Sequence, residues 1–216
     1  MPLPLVILGA GGHGRVVAEV AAATGRDLLG FIDGRFPPGE RVNGLPVLAR
    51  DLDGLATKAP PDRAELFVAV GDNATRFRLA AEAIARGYRL ASLVHPSAIL
   101  SPTVTLGAGS VLMAGVVVNA NAVIGDFCIV NTAASLDHDN WLADGVQICP
   151  GVRSAGTVRY GRSAFVGTGA VIVPGISIGA EAVVGAGAVV IRDVFERARV
   201  AGNPARPITP RPSRDG

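Results

Sequence analysis

The residues of this sequence whose types and spacing could do chemistry are centred on His138, which lies between Asp137 and Asp139. A carboxylate that hydrogen-bonds one imidazole nitrogen fixes the tautomer and raises the basicity of the other nitrogen, as a general base near neutral pH requires. The alternative is a surface histidine with ordinary charged neighbours. The sequence therefore offers His138 as a candidate base and leaves that alternative open.

The elements that must position His138 belong to a repeat with a period of six residues, which runs over residues 94–195. A large, mostly aliphatic residue returns at every sixth position, and Ser154 and Tyr160 are the two exceptions. A fixed short period of this kind predicts a β-solenoid, in which each repeat buries its apolar face by stacking on its neighbours. If three six-residue sides close one coil, residues 18 apart stack, and Gly156 falls directly above His138.

Gly156 is therefore a second candidate for catalysis. Its backbone N–H could stabilise an oxyanion, whereas a bulky residue there would block the approach of a ligand. A metal centre is not expected, because the chain has three histidines and the separation of His95 from His138, 43 residues, is not a multiple of 18. No set of ligands therefore stacks.

A strand, a glycine-rich turn and a helix precede the repeat. An apolar run at residues 3–8 leads into a GxGxxG at residues 9–14 and then into a helical pattern at residues 15–24. The next predicted strand, Leu28–Ile32, ends at Asp33. This order is typical of a Rossmann-type unit, in which glycines and a helix N-terminus accept a diphosphate.

Three interpretations of this unit stay open, namely a nicotinamide cofactor, strand–helix packing alone, or another nucleotide diphosphate. The third is favoured, because a domain that ends near residue 93 is too short for two mononucleotide-binding halves. Further along, residues 65–70 predict a strand that closes on Gly71, and residues 74–86 predict a helix. Arg76 and Arg78 near the start of that helix could meet phosphate or face solvent.

Composition excludes several classes of function. A net charge of +2 is too near neutral for a nucleic-acid binder. The 36 uncharged residues between Arg89 and Asp126 keep the six-residue register and contain prolines, so we do not interpret them as a membrane span. The two cysteines occupy different repeat positions and no secretory leader is visible, so a cytoplasmic protein is expected.

These motifs together resemble the bacterial nucleotide-sugar acetyltransferases, including the related sialic acid O-acetyltransferases, which join a small Rossmann-like domain to hexapeptide repeats. The resemblance is carried by Gly9-Ala10-Gly11-Gly12-His13-Gly14, Phe31-Ile32-Asp33, Ala69-Val70-Gly71-Asp72-Asn73, Asn131-Thr132, Asp137-His138-Asp139, Ser154-Ala155-Gly156 and Gly202-Asn203-Pro204-Ala205. It implies an α/β half-Rossmann domain at residues 1–93 and an all-β left-handed parallel β-helix at residues 94–195. A cap and a frayed tail would follow at residues 196–216.

The resemblance also implies a function, namely acetyl-CoA-dependent N-acetylation of a UDP- or GDP-linked 4-amino-deoxy sugar by a homotrimer. His138 inherits the role of base, Asp139 raises its basicity, and the Gly156 amide meets the thioester oxygen. The substrate-binding residues expected in the first domain are Gly11, Gly12, His13, Asp33, Gly34 and Gly71. The acetyl-CoA contacts expected in the β-helix are Gln147, Gly156, Thr168 and Ala186.

One departure and three alternatives qualify this prediction. Relatives often carry a second acidic residue where this chain has Gly34, which leaves the preferred nucleobase and sugar open. The alternatives are an O-acetyltransferase acting on a sugar hydroxyl, a non-catalytic sugar-nucleotide-binding protein, and an NAD-linked enzyme. The His138–Asp139 pair argues against a non-catalytic protein.

Overall fold

The structure is a computed structural model that describes residues 2–208, and the tail predicted at residues 209–216 lies outside them. The chain divides into two compact units. The first comprises residues 1–97 and 107–114, and the second comprises residues 98–106 and 115–216. The domain boundaries expected at residues 93 and 195 remain predictions.

The first unit is built around a six-stranded sheet with helices between its strands. The strands are β1 (Leu5–Leu8), β2 (Leu28–Ile32), β3 (Arg41–Val42), β4 (Leu45–Ala49), β5 (Glu65–Val68) and β6 (Arg89–Leu90). The helices are α1 (Gly12–Ala23), α2 (Leu52–Ala56) and α3 (Asn73–Ala85). The order is β3-β4-β2-β1-β5-β6, and all neighbours are parallel except the β3–β4 hairpin. This arrangement brings the carboxyl ends of β1, β2 and β5 to one edge, where α/β sheets bind ligands.

The sequence pattern predicts most of these elements and misplaces some of their ends. All four residues of β1 are buried, as a continuous apolar run in a parallel sheet requires. The bounds of β2 are as predicted, whereas α1 begins at Gly12 and not at residue 15. The glycine turn itself supplies the first helical turn, with Gly11 as N-cap. Residues 88–94 do not form one continuous strand, because β6 ends at Leu90 and a separate pair, Leu93–Val94 with Val111–Leu112, follows.

The second unit consists of strands separated by short corners, and all of these strands have two residues except Arg199–Ala201, which has three. Its strands form three parallel faces in which each strand pairs with its counterpart in the next coil, as Val117 does with Ser135. The first face contains Ile129–Val130, Gln147–Ile148, Phe165–Val166, Val183–Val184 and Arg199–Ala201. The second contains Ile99–Leu100, Val117–Val118, Ser135–Leu136, Arg153–Ser154, Val171–Ile172 and Val189–Val190. The third contains Thr105–Leu106, Val123–Ile124, Trp141–Leu142, Arg159–Tyr160 and Ser177–Ile178.

The second residue of nearly every strand points into a narrow core. Val118, Leu136 and Val166 on this register are at most 1% exposed, and so are Ala122 and Cys128, which lie four positions after a register residue. Each coil therefore covers the apolar interior of the next, as the six-residue period predicts.

Strand pairing continues beyond residue 195, in the segment that the sequence predicts to be a cap. Arg199–Ala201 still adds a strand to the first face, with Val200 paired to Val184. A complete coil would bring Gly202 opposite Val184, so the last coil is shortened and the six-residue register is lost while the pairing continues. Arg206–Pro207 then pairs antiparallel with this strand and covers its edge.

Candidate active site

His138 lies on the corner that joins the second face of the solenoid to the third. Its Nδ1 is 2.8 Å from Oδ2 of Asp139, and 56% of its side chain is exposed. Because Asp139 accepts the Nδ1 proton, Nε2 carries the free lone pair. The hydrogen bond to Asp139 is the main cause that raises the pKa of His138 above its ordinary value. The arrangement therefore provides an accessible and strengthened base.

Gly156 stacks on the imidazole of His138, as the coil length predicts. A Cβ added at Gly156 would lie 2.4 Å from Nε2 and 2.5 Å from Cε1 of His138, so only glycine leaves room for the ring. Among residues 2–208, no hydrogen bond from the Gly156 N–H to another residue is formed. The free lone pair of the base and an unused N–H donor are therefore neighbours, which suits a reaction that takes up a proton while an oxyanion develops.

Two asparagines that the sequence analysis missed hold the carboxylates on either side of His138. Asn119 donates from Nδ2 to Oδ1 of Asp137 at 2.8 Å, and Asn121 donates from Nδ2 to Oδ1 of Asp139 at 3.2 Å. Each asparagine lies 18 residues before its carboxylate, one coil below it. Subtracting the coil length from each acidic position would have found both. Asp139 keeps Oδ2 for His138 because Asn121 engages the other oxygen.

The glycine turn of the first unit is held by Asp33. Its Oδ2 accepts a hydrogen bond from the backbone N–H of Ala10 at 2.8 Å, which ties the end of β2 to the turn after β1. Gly9 has a φ of +109°, and a Cβ on Gly14 would lie 1.9 Å from the Gly9 oxygen. Glycine is therefore required at both ends of the turn, for the backbone conformation and for the close approach of the helix.

Arg35 follows β2 and lies over this turn, and it is a residue that the sequence analysis did not single out. Its Nε and Nη2 donate to Oδ1 and Oδ2 of Asp33 at 2.9 Å and 2.6 Å, and these hydrogen bonds are the main cause that lowers the pKa of Asp33 to about 2. The Arg35 side chain is 68% exposed, and its Nη2 would lie 3.3 Å from a Cβ on Gly11. The carboxylate of Asp33 is therefore paired within the protein, and it holds the guanidinium of Arg35 over the glycine turn.

The six predicted substrate-binding residues lie together around one cavity of about 640 Å³, which sits at the carboxyl edge of the sheet. They are Gly11, Gly12, His13, Asp33, Gly34 and Gly71. Gly12 and Gly71 have no atom within 4 Å of an added Cβ, so both face open space. Three arginines, Arg35, Arg50 and Arg78, line the same cavity beside three carboxylates, Asp33, Asp51 and Glu82. Arg35 pairs with Asp33, and Arg78 pairs with Glu82.

His13 projects from the first turn of α1 into this region. Its Nε2 is buried and has no hydrogen-bond partner among the described residues. Burial is the main cause that lowers the pKa of His13 to about 4, and the charge of Arg76 acts in the same direction. His13 is therefore neutral at pH 7. A buried ring nitrogen without a partner is uncommon and is available for a bound ligand.

Arg76 was expected from the sequence either to meet phosphate or to face solvent, and in the structure it is buried inside the fold. It is 1% exposed, and its Nη1 donates to the carbonyl oxygens of Val70 and Gly71 at 2.9 Å and 3.0 Å. Arg76 therefore fixes the loop after β5 from inside the fold, neither meeting phosphate directly nor facing solvent. Arg78 lines the cavity and is 3.5 Å from Glu82.

Gly156 is one of the four residues expected to contact acetyl-CoA, and the other three lie elsewhere on the solenoid. Gln147 belongs to the first face. Thr168 and Ala186 are exposed and stack in successive coils on the corner between the first and second faces. Within one chain they are not on the corner that carries His138 and Gly156, and their contacts with acetyl-CoA remain predictions.

Residues 2–208 contain no group of three or more His, Cys, Asp and Glu side chains that could hold a metal ion. None of the helices in this part of the chain is long and apolar enough to cross a membrane.

Comparison with known proteins agrees with both units. Residues 4–83 match the family model described as PglD N-terminal domain, and residues 158–192 match the hexapeptide repeat of succinyl-transferase. The acetyltransferase domain of PglB from Neisseria gonorrhoeae, solved with acetyl coenzyme A, is 42% identical with a TM-score of 0.91, over 96% of this chain and all of that one. PerB from Caulobacter crescentus, solved with CoA and GDP-perosamine, is 40% identical with a TM-score of 0.89, over 95% of this chain and 97% of that one.

The fold is therefore that of the hexapeptide-repeat acetyltransferases, and the predicted fold class, a Rossmann-like unit followed by a left-handed parallel β-helix, is confirmed. A curated relative, the GDP-perosamine N-acetyltransferase of Escherichia coli O157:H7, is 31% identical over 96% of this chain and 97% of its own length. The chain belongs to this family of acetyl-CoA-dependent N-acetyltransferases of nucleotide-linked amino sugars.

Proposed function

We propose that this protein transfers the acetyl group of acetyl-CoA to the 4-amino group of a deoxy sugar linked to UDP or GDP, with His138 as general base. The observation that carries the proposal is the position of His138, whose Nδ1 is engaged by Asp139 while Nε2 lies against Gly156. A base with a free lone pair and an amide donor beside it are the two groups that acyl transfer needs.

The reaction proceeds by direct attack. The amine nitrogen forms a bond to the thioester carbon while Nε2 of His138 takes up a proton from the amine. The negative charge that develops on the thioester oxygen is stabilised by the Gly156 N–H. The tetrahedral intermediate then collapses to the amide, the carbon–sulfur bond breaks, and the imidazolium returns its proton to the CoA sulfur. Binding both substrates supplies the proximity that a covalent intermediate would otherwise provide.

The nucleotide end of the substrate binds in the cavity at the glycine turn. The N-terminus of α1 offers unpaired N–H groups and a positive dipole to a diphosphate. Arg35 adds a positive charge above Gly11, and the neutral His13 offers a ring nitrogen. Because Asp33 is already hydrogen-bonded to Ala10 and Arg35, its part in substrate binding is to hold these groups in place.

A guanosine diphosphate carrier is the first candidate. A curated relative is a GDP-perosamine N-acetyltransferase, and PerB was solved with GDP-perosamine. The assay follows release of the CoA thiol with GDP-perosamine, with a UDP-linked 4-amino sugar, and with the 4-hydroxy counterpart of each. Turnover of the hydroxy sugars at the rate of the amino sugars would favour an O-acetyltransferase. Binding without any thiol release would favour a non-catalytic protein.

The role of His138 is tested by His138→Ala. Removing a general base lowers kcat by about 10²–10⁴-fold. The side chain is 56% exposed, and the residue that stacks on its ring is a glycine, so the variant should fold and bind both substrates as the native protein does. A variant that retains full kcat would remove the proposed base.

A homotrimer in the cytoplasm completes the proposal. Val123 and Trp141 stack on the third face and are 38% and 42% exposed, and Ile99 on the second face is 68% exposed. Apolar side chains stacked on the outside of a solenoid favour a second copy of the chain as partner. Sedimentation should give the mass of three chains, and the mass of one chain would contradict the trimer.

A further inference from the structure

Ser154 and Tyr160 depart from the aliphatic six-residue pattern, and in the structure both join a third buried polar residue, Asn140. Asn140 and Tyr160 are fully buried and Ser154 is 4% exposed. Tyr160 Oη donates to Ser154 Oγ at 2.6 Å, and Ser154 Oγ donates to Oδ1 of Asn140 at 2.7 Å. Asn140 Nδ2 then donates to the carbonyl oxygens of Asp137 and Ala155, each at 2.8 Å. We call Asn140, Ser154 and Tyr160 the core polar chain.

Every side-chain proton of the core polar chain has an acceptor. The two hydroxyl protons and both amide protons are used, and the direction of donation runs from Tyr160 through Ser154 to Asn140. Burial raises the pKa of Tyr160 far above its ordinary value, so its hydroxyl stays a neutral donor at any physiological pH. A fully satisfied network in a low-dielectric core is rigid, because any rotation leaves a buried polar atom unpaired.

The two carbonyls at the end of the core polar chain belong to the peptide groups next to the candidate base and oxyanion donor. The carbonyl of Asp137 shares a planar peptide with the N–H of His138, and that of Ala155 shares one with the N–H of Gly156. In a trans peptide the C=O and N–H point in opposite directions. An amide that binds both carbonyls from inside the core therefore turns both N–H groups outward, and it ties together two coils that carry His138 and Gly156.

The neighbouring coils have no hydrogen-bonding side chain at the position of Asn140. The position of Asn140 is filled one coil earlier by Ala122 and one coil later by Val158, and both are fully buried. Neither side chain can donate a hydrogen bond. The amide bridge is therefore confined to the coils of the candidate active site, although an apolar residue fits the same place.

We propose that Asn140, Ser154 and Tyr160 are positioning residues for acetyl transfer, which fix the peptide of Gly156 as an oxyanion donor at a set distance from the base His138. This inference rests on the proposed function of His138 and Gly156. The core polar chain touches neither substrate, and it acts by holding the orientation of the peptides that do.

The test removes the polar atoms and keeps the packing, with the triple variant Asn140→Val, Ser154→Ala, Tyr160→Phe. Valine is the residue that the next coil uses at this position, and the other two changes remove hydroxyl groups only. The three substitutions leave no polar side-chain atom of the network unpaired, but the carbonyls of Asp137 and Ala155 lose the Asn140 donor, which lowers stability. The variant should therefore melt below the native protein and still fold, since the next coil carries Val158 at this position.

The expected kinetic result is a fall in kcat of about 10–100-fold, the size expected when a reacting group is misplaced by about 1 Å. KM for acetyl-CoA and for the nucleotide sugar should stay within about twofold, because the polar chain contacts neither. The acid limb of the pH profile should not move, because Asp139 still engages His138. A folded triple variant with kcat within about twofold of the native value would overturn the inference.

Two further variants keep the test decisive if the triple variant does not fold. Ser154→Ala removes the donor that holds Oδ1 of Asn140 and should lower kcat with KM unchanged, whereas native kcat in this variant would also overturn the inference. Val146→Ala, at the repeat position equivalent to Asn140 and fully buried, is the control, and it should lower the melting temperature without changing kcat.

The parallel measurement on His138→Ala distinguishes a failure of the positioning role from a failure of the proposed function. If that variant is inactive while the triple variant is fully active, the core polar chain has no positioning role. If His138→Ala is itself fully active, the proposed function fails first.

Discussion

Substituting Gly156 by alanine tests the geometry of the candidate active site with a single carbon atom. The added Cβ would lie 2.4 Å from Nε2 of His138, whereas ordinary van der Waals contact begins at 3.4 Å. The imidazole must therefore retreat by 3.4 − 2.4 = 1.0 Å. A displacement of about 1 Å in a reacting group costs about 10²-fold in rate, so kcat should fall by that factor. The ring is 56% exposed and can turn towards solvent, so the coil itself should stay folded.

The assay is CoA thiol release under saturating substrates, with a melting curve on the same preparation. Gly156→Ala is also made in the background of His138→Ala, where the space beside Gly156 is empty. There the extra methyl should change neither the residual rate nor the melting temperature, because no ring remains to be displaced. Native kcat in the single variant, or an equal further loss of rate in the double variant, would refute the argument that Gly156 acts by leaving room for the base.

Three other substitutions give distinct outcomes. Asp139→Asn removes the hydrogen bond that raises the pKa of His138. Since the base must be neutral to act, the acid limb of the kcat/KM profile should move to lower pH and the plateau should fall. An acid limb that does not move would contradict the pairing of His138 with Asp139. Arg35→Gln should raise KM for the nucleotide sugar and weaken its salt dependence while KM for acetyl-CoA stays constant, and equal changes in both would argue against a phosphate contact. Gly14→Ala should lower the melting temperature and abolish nucleotide-sugar binding measured by calorimetry, because the added Cβ would lie 1.9 Å from the Gly9 oxygen. Native binding in this variant would contradict the requirement for glycine at position 14.

The solenoid was predictable from sequence because its packing is periodic. Each coil has the same backbone, so the identity of one register residue in six and the length of one coil are enough to stack Gly156 on His138. The last coil was not predictable in this way, since Arg199–Ala201 keeps its pairing after the coil has become shorter. A sequence period detects repeated spacing and cannot detect a strand that pairs after the spacing has changed.

The candidate binding site was predictable by location and less so by role. The order of strand, glycine turn and helix correctly gathers Gly11, His13 and Asp33 at one cavity. The sequence does not show that the carboxylate of Asp33 is hydrogen-bonded to Ala10 and Arg35, because its position after β2 does not determine its partners. Which partner a charged side chain takes depends on loop conformation, and no local pattern encodes it.

The exceptions to the six-residue pattern proved to be as informative as the pattern. In the described part of the second unit, the polar residues outside the aromatic class that are buried are Asn140 and Ser154, and both belong to one hydrogen-bonded chain with Tyr160. Polar groups in a core are costly unless every donor and acceptor is paired, so a solenoid gains nothing from them as a solenoid. If all coils were equivalent, the peptide groups at equivalent positions would all have the same environment. Within the second unit, these polar departures from the repeat therefore fall at the coils of His138 and Gly156.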